Sequence, residues 1–245
     1  MSPFSQTAFS VRLEWGPAAI HRLAPEVDCI VILDVMSFST CVSLAVDRRA
    51  IVYPYPWRDE SAQRYGAERN AEVASGKQRF AEGLSLSPQS MLKIPEGLRI
   101  VLPSPNGSAC AFHAKDLGKA VYCAGFRNLH ATALACQQHA RVLVVPCGER
   151  WSEDDSLRPS VEDHIAAGGL VTLLDRPDAS PEARAAAFAW QGLGTGRRDA
   201  LMRCGSAVEL IERGFAGDVE LCLDENVSRV ACRLEDDHFV GEVWG

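Results

Sequence analysis

The stretch Leu98-Arg99-Ile100-Val101-Leu102-Pro103-Ser104-Pro105-Asn106-Gly107-Ser108-Ala109 decides how this chain folds. A short apolar run stops at a loop of Pro, Ser, Asn and Gly, and a helix-compatible stretch to Ala114 follows. That order predicts strand, tight loop, helix. Pro103 and Pro105 stiffen the loop, while Gly107 lets the backbone approach a ligand closely or take a positive φ. Ser108 then stands near a helix N-terminus, where free N–H groups and the helix dipole favour an anion. The plainer alternative is that Asn106-Gly107 is only a turn and Ser108 a helix cap. Recurrence of the same arrangement along the chain favours the functional alternative.

The recurrences are these. Residues 27–33 form a continuous apolar run around Asp28, a strand buried on both faces that delivers Asp34 at its C-terminal end. Ser37, Ser39 and Thr40 follow, then a helical stretch through Val46. A strand over 120–124 ends at Gly125-Phe126-Arg127-Asn128, before a helix from Leu129 to about His139. Another over 141–145 ends at Pro146-Cys147-Gly148-Glu149-Arg150. Beyond the loop 151–159, Ser160 opens a helix carrying Glu162 and Asp163 in its first turn. Ser160 and Asp163 have capping-box spacing, which gives Asp163 a structural job and leaves Glu162 the more telling acid. Gly168-Gly169 predicts close packing of this helix on a neighbour.

The remaining segments frame these units. Residues 9–15 alternate between apolar and polar, as a half-exposed strand does. Residues 51–55 read as a strand whose Pro54 predicts an edge position or early termination. Arg58 opens a polar, solvated helix to about Ala74, and 75–97 is loop-like. Lys77 and Arg79 could reach an anion from that loop, with surface solvation the simpler fate for each. Helices are expected from Pro181 to Gln191 and from Arg198 to Gly214, the latter weak at Gly205. Residues 218–223, 230–234 and 239–244 read as strands of a final hairpin unit. The expected fold class is α/β: a mixed, largely parallel sheet flanked by helices, with a C-terminal helical and hairpin extension. A single domain spans 1–245, with a C-terminal subdomain from about Arg176 as the alternative division.

Composition limits the functions open to such a fold. With 47% hydrophobic residues over 245 positions, the chain can build a sizeable core. Its net charge of −7 argues against a broad nucleic-acid surface, so any anionic substrate needs a local set of cationic or N–H donors. No apolar run approaches the roughly 20 residues of a membrane span, and the first residues lack signal-peptide character. The nine cysteines are odd in number and include no Cys-x-x-Cys pair. Reduced, buried thiols in a cytoplasmic protein are therefore expected.

In open α/β sheets ligands bind at the C-terminal ends of the strands. If the strands run parallel, Asp34, Ser104–Ser108, Arg127-Asn128 and Cys147–Arg150 converge with Glu162-Asp163. Carboxylates beside Ser, Asn, Gly and Arg donors suit a divalent metal with a small phosphorylated molecule, and oxygen ligands point to Mg²⁺. An aspartyl-phosphate mechanism at Asp34 lacks a second Asp two residues on, where Met36 stands. A thiol-phosphatase loop at Cys147 needs Arg six residues later, where Glu153 stands. Nor does any strand lead into the Gly-x-Gly-x-x-Gly of a dinucleotide site.

Four segments in this order and spacing are Asp34-Val35-Met36-Ser37-Phe38-Ser39-Thr40, Ser104-Pro105-Asn106-Gly107-Ser108, Gly125-Phe126-Arg127-Asn128, and Glu162-Asp163 followed by Ala167-Gly168. Through them the chain resembles the 2-phosphosulfolactate phosphatase family over about residues 8–240. The resemblance implies a Mg²⁺-dependent acid phosphatase acting on a small sulfonated, carboxylated hydroxy acid. This chain has Ser37 where the family commonly has Arg, and Gly76-Lys77-Gln78 where Gly-Glu-Arg is usual. The leading expectation gives Asp34, Glu162 and Asp163 the metal, and Ser104, Asn106, Gly107 and Ser108 the phosphate. Arg127 and Asn128 neutralise growing charge, and water attacks directly. The expected partner is a small phosphorylated anion, with no nucleic acid or membrane and with a homodimer left open. The rival reading is a non-catalytic module that binds a phosphorylated metabolite through the same loops.

Overall fold

The computed structural model describes residues 3–75, 79 and 83–244. Its elements begin with β1 (Val11–Leu13), α1 (Gly16–Leu23), β2 (Cys29–Leu33), α2 (Phe38–Asp47) and β3 (Ile51–Tyr55). There follow α3 (Ser61–Glu68), β4 (Glu72–Val73), α4 (Pro88–Met91), β5 (Arg99–Pro103) and α5 (Gly107–Ala114). Next come β6 (Ala120–Ala124), α6 (Leu129–Cys136), β7 (Val142–Pro146), β8 (Glu149–Arg150) and β9 (Leu157–Arg158). The C-terminal third holds α7 (Val161–Leu174), α8 (Pro181–Leu193), α9 (Arg197–Leu201), α10 (Gly205–Glu212) and α11 (Ala216–Cys222). The hairpin β10 (Val230–Glu235) and β11 (His238–Val243) ends the chain.

Among the described residues, nine strands form one sheet in the order β1-β7-β2-β6-β10-β11-β3-β5-β4. The set β1-β7-β2-β6 is parallel, as is β3-β5-β4, and the hairpin joins them through antiparallel pairings. The α/β class and the mostly parallel sheet are as the sequence predicts. The hairpin, however, is not an appendage: it is built into the middle of the sheet. Side-chain alternation then divides the core. Val31 and Leu33 face one cluster with α6, α7 and α8, while Ile30 and Ile32 face the other with α1, α2 and α5. Helix α2 is buried on all sides from Phe38 to Val46 and packs on β3, β6, β10 and β11. Helix α5 touches both β2 and β3, although β6 and the hairpin separate these strands in the sheet. The sheet therefore curls around α2, which brings the ends of β2 and β5 together.

Four local expectations are corrected. Strand β3 is interior rather than an edge; Pro54 is tolerated because β11 pairs with β3 only at Val52↔Phe239. The polar helix after Arg58 ends at Glu68, and Glu72–Val73 joins the sheet beside β5. The helix expected over 198–214 is interrupted at 202–204, and Gly205 opens its second half, α10. Residues 218–223 are helical, with Asp218, Val219 and Cys222 buried at helical spacing. The close packing expected at Gly168-Gly169 is present: a Cβ on Gly168 would lie 2.0 Å from the Ala186 carbonyl oxygen of α8. All nine cysteines are buried and unbridged. Among the described residues, no helix is long and apolar enough to cross a membrane.

Candidate active site

The site is built at the C-terminal ends of β2, β5 and β7. Asp34 follows β2 directly, and its main chain is locked to the start of α2. Its N–H donates to Ser39 Oγ at 2.8 Å, and its carbonyl accepts the Ser39 N–H at 2.7 Å. Thr40 Oγ1 donates to the Val35 carbonyl at 2.9 Å, so these two hydroxyls fold the loop. The Asp34 carboxylate is turned to the loop after β5. Its Oδ2 accepts the Gly107 N–H at 2.7 Å and lies 3.4 Å from Ser104 Oγ. The Phe38 N–H at the start of α2 also bonds this carboxylate. Two helix N-termini thus point at one carboxylate, the favoured arrangement for negative charge. The anion that α5 holds is accordingly the protein's own Asp34.

Glu149 comes to the same place because β7 lies beside β2 in the sheet. Its Oε1 accepts from Asn106 Nδ2 at 2.8 Å and from the Arg150 N–H at 2.9 Å. Burial, followed by the negative charge of Glu149, pushes the Asp34 carboxyl up to about 7, against the Gly107 and Phe38 N–H groups. Arg58 is within electrostatic reach of both acids. Water reaches this residue, yet surrounding protein desolvates its guanidinium and pulls it below its ordinary value. Among the described residues, Arg58 makes no hydrogen bond or ion pair. It also lines a cavity of about 240 Å³ with Ala62, Val73, Ala74 and Pro103.

The other expected site residues have structural partners. Asp163 does not form a capping box, since the Ser160 side chain caps nothing. Instead its Oδ1 accepts the Val35 N–H at 2.8 Å and its Oδ2 the Gly148 N–H at 2.9 Å, joining the ends of β2 and β7. Burial, then Glu162 and Asp34, push its carboxyl well above the usual range. Glu162 is buried and accepts from Cys204 Sγ at 3.4 Å. Among the described residues, no three His, Cys, Asp or Glu side chains stand together as a metal site. Both Asp163 oxygens accept from backbone N–H groups and Glu162 Oε2 accepts from Cys204 Sγ, while Glu162 and Asp34 both act on the Asp163 charge. Ser108 Oγ donates back to the Leu102 carbonyl at 2.7 Å, the role of a loop brace.

Arg127 and Asn128 face other partners, although the buried Arg127 Nε has no hydrogen-bond partner among the described residues. The Arg127 guanidinium lies 3.5 Å from Asp47 and 3.7 Å from Asp224, with no bond to Asp34 or Glu149. Asn128 is fully buried; its Oδ1 accepts the Gly125 N–H, and its Nδ2 donates to the Cys123 and Val230 carbonyls. The structure thus brings together Asp34, Ser104, Asn106 and Gly107, and adds Glu149 and Arg58. Arg79 is nearby, donating from Nη1 to Ser37 Oγ at 3.0 Å, so a guanidinium meets Ser37 after all. Lys77 and Gln78 lie outside the described residues.

Cys147 is buried, and burial pushes its thiol well above its ordinary value, so it supplies no thiolate. Cys147→Ser is therefore expected to keep most activity once its folding is verified by melting. Complete loss in a well-folded variant would restore a covalent thiol mechanism.

Comparison with known proteins places the chain in a family. A family model described as 2-phosphosulpholactate phosphatase matches residues 17–237. A protein of Thermotoga petrophila named "Probable 2-phosphosulfolactate phosphatase" is 30% identical over 173 residues, 71% of each chain. One of the same name from Thermotoga maritima is 27% identical over 217 residues, 86% of this chain and 90% of the relative. With the model match running from α1 into the final hairpin, the chain belongs to the 2-phosphosulfolactate phosphatase family, a family of phosphoric monoester hydrolases.

Proposed function

We propose that the protein hydrolyses the phosphomonoester of a small anionic hydroxy acid, 2-phosphosulfolactate or a close relative, to the free alcohol and phosphate. The observation that carries this reading is the Asp34–Glu149 pair within electrostatic reach of the Arg58 guanidinium, which has no hydrogen-bond or ion-pair partner among the described residues. Burial first and the negative charge of Glu149 second raise the Asp34 carboxyl, and a bound cation would relieve that opposition. The donors around them are all oxygens or amides, and Mg²⁺ is commonly held by one or two carboxylates, waters and substrate phosphate. The residues therefore fit Mg²⁺, with Asp34 and Glu149 as the side chains that would hold it. Bound there, the ion would polarise the phosphoryl group and lower the pKa of a water.

The chain's own groups do the rest. Arg58 can approach the phosphoryl oxygens with a planar fork of donors and balance their charge. Ser104 Oγ and the Asn106 amide border the same space and orient the ester. Glu149 Oε2 has no hydrogen-bond partner among the described residues, which leaves it open toward the ion. Purified protein should release phosphate from 2-phosphosulfolactate in a phosphometabolite panel with Mg²⁺, and rigorous chelation should abolish the release. Mg²⁺ should also raise the melting temperature. Full activity after chelation would remove the metal, and ligand-induced stabilisation without phosphate release would leave a binding module instead.

A further inference from the structure

Arg79 is held in an unusual way. Asp218 of α11 is fully buried, and its Oδ2 accepts from Arg79 Nη1 at 2.8 Å. Its Oδ1 accepts from Ser87 Oγ at 2.7 Å and from the Gln89 N–H at 3.0 Å, which fixes the carboxylate in one orientation. The same Nη1 reaches Ser37 Oγ at 3.0 Å. Both bonds use one nitrogen, and among the described residues Nε and Nη2 donate to nothing. A buried ion pair alone is weak grounds for stability, since desolvation offsets much of the attraction. This one, however, aims a guanidinium whose remaining donors are open among the described residues.

Its target follows from position. Ser37, which Arg79 contacts, immediately precedes Phe38, whose N–H bonds the Asp34 carboxylate, and Arg58 feels the positive charge of Arg79. The chain carries a net −7, and Asp34 and Glu149 add local negative charge, so a substrate with several acidic groups needs more than one cation. Arg58 suffices for a phosphate beside Asp34. We infer that Arg79 binds the second acidic group of the substrate, a carboxylate or sulfonate, and that Asp218 is the positioning residue that aims it. This rests on the phosphatase reading and adds the group that selects the substrate.

Isopropyl phosphate, phospholactate and 2-phosphosulfolactate test it, since the first lacks any second acid and the second carries only a carboxylate. The readout is the ratio of kcat/KM for each acidic ester to that for isopropyl phosphate. Arg79→Gln should lower this ratio roughly ten- to a hundredfold, mainly through KM, as expected for losing a charge-assisted hydrogen bond. Arg79→Lys should recover part of it, and Asp218→Asn should lower it in the same direction without touching substrate. A fall confined to 2-phosphosulfolactate assigns Arg79 to the sulfonate; a fall shared with phospholactate assigns it to the carboxylate. If Asp218→Asn does not fold, the two Arg79 variants decide. A ratio unchanged in Arg79→Gln, with all three esters slowed equally, overturns the inference and leaves a structural brace. A wild-type protein inactive on all three esters overturns the phosphatase reading, and the inference with it.

Discussion

Asp34→Asn gives a folded protein whose turnover falls at least about tenfold, a loss of roughly 1.4 kcal/mol or more of transition-state stabilisation. The substitution keeps the shape and one acceptor for the Gly107 N–H, but removes the charge that would hold Mg²⁺. Stability should move the other way in the metal-free protein. The native carboxyl is raised to about 7 from an ordinary value of 3.8. Between those values the folded state holds a proton that the unfolded state has lost, so wild-type stability falls as pH rises through the window. The cost approaches about 4 kcal/mol above pH 7, to order of magnitude, and vanishes below the unfolded value. The variant lacks this slope. Unfolding by urea in chelator between about pH 5 and 8 should therefore show the variant gaining on the wild type as pH rises. Parallel profiles, with Mg²⁺ affinity and turnover unaltered, would make Asp34 a structural cap.

Asp34 was the most legible of the site residues, because a continuous apolar strand ending in a carboxylate is a local pattern. The loop Ser104–Ser108 was legible as an anion holder, but not which anion it holds. That depends on the sheet curling around α2, and nothing in the spacing of two segments some 70 residues apart encodes it. Glu149 lies in a strand end expected at the site, yet its role is not legible in sequence for the same reason. Its signal is the sheet order, which sets β7 beside β2, whereas its neighbours Cys147 and Arg150 match familiar motifs and draw attention first. Arg58 and Arg79 looked like solvated surface because charge in a polar segment ordinarily is. Arg127 is the converse case: a guanidinium at a strand end is well placed in principle, and in the structure it faces Asp47 and Asp224. The segment 218–223 was misread because its short apolar alternation suits a strand as well as the buried face of a short helix.

Gly107→Ala should damage the protein more than any other single methyl added at the site. A Cβ there would meet Phe38 Cδ1 at 2.2 Å and Asp34 Oδ2 at 2.8 Å. Neither neighbour can yield cheaply. Phe38 is fully buried at the start of α2, in contact with Phe239 of the central hairpin. Asp34 is tied through its main chain to Ser39 and through its carboxylate to the Gly107 N–H itself. Gly107 does not have a positive φ, so the glycine is needed for space and not for conformation. Alanine would otherwise help, since it stabilises a helix by about 1 kcal/mol relative to glycine. Overpacking of a well-filled core typically costs about 1–3 kcal/mol, and here the displaced atom also belongs to the reactive carboxylate. The expected result is a melting temperature lowered by several degrees, together with turnover reduced about as far as in Asp34→Asn. Gly107→Ala with unchanged melting and unchanged kcat would mean that α5 and Asp34 are not in contact, and the site would have to be rebuilt without that helix.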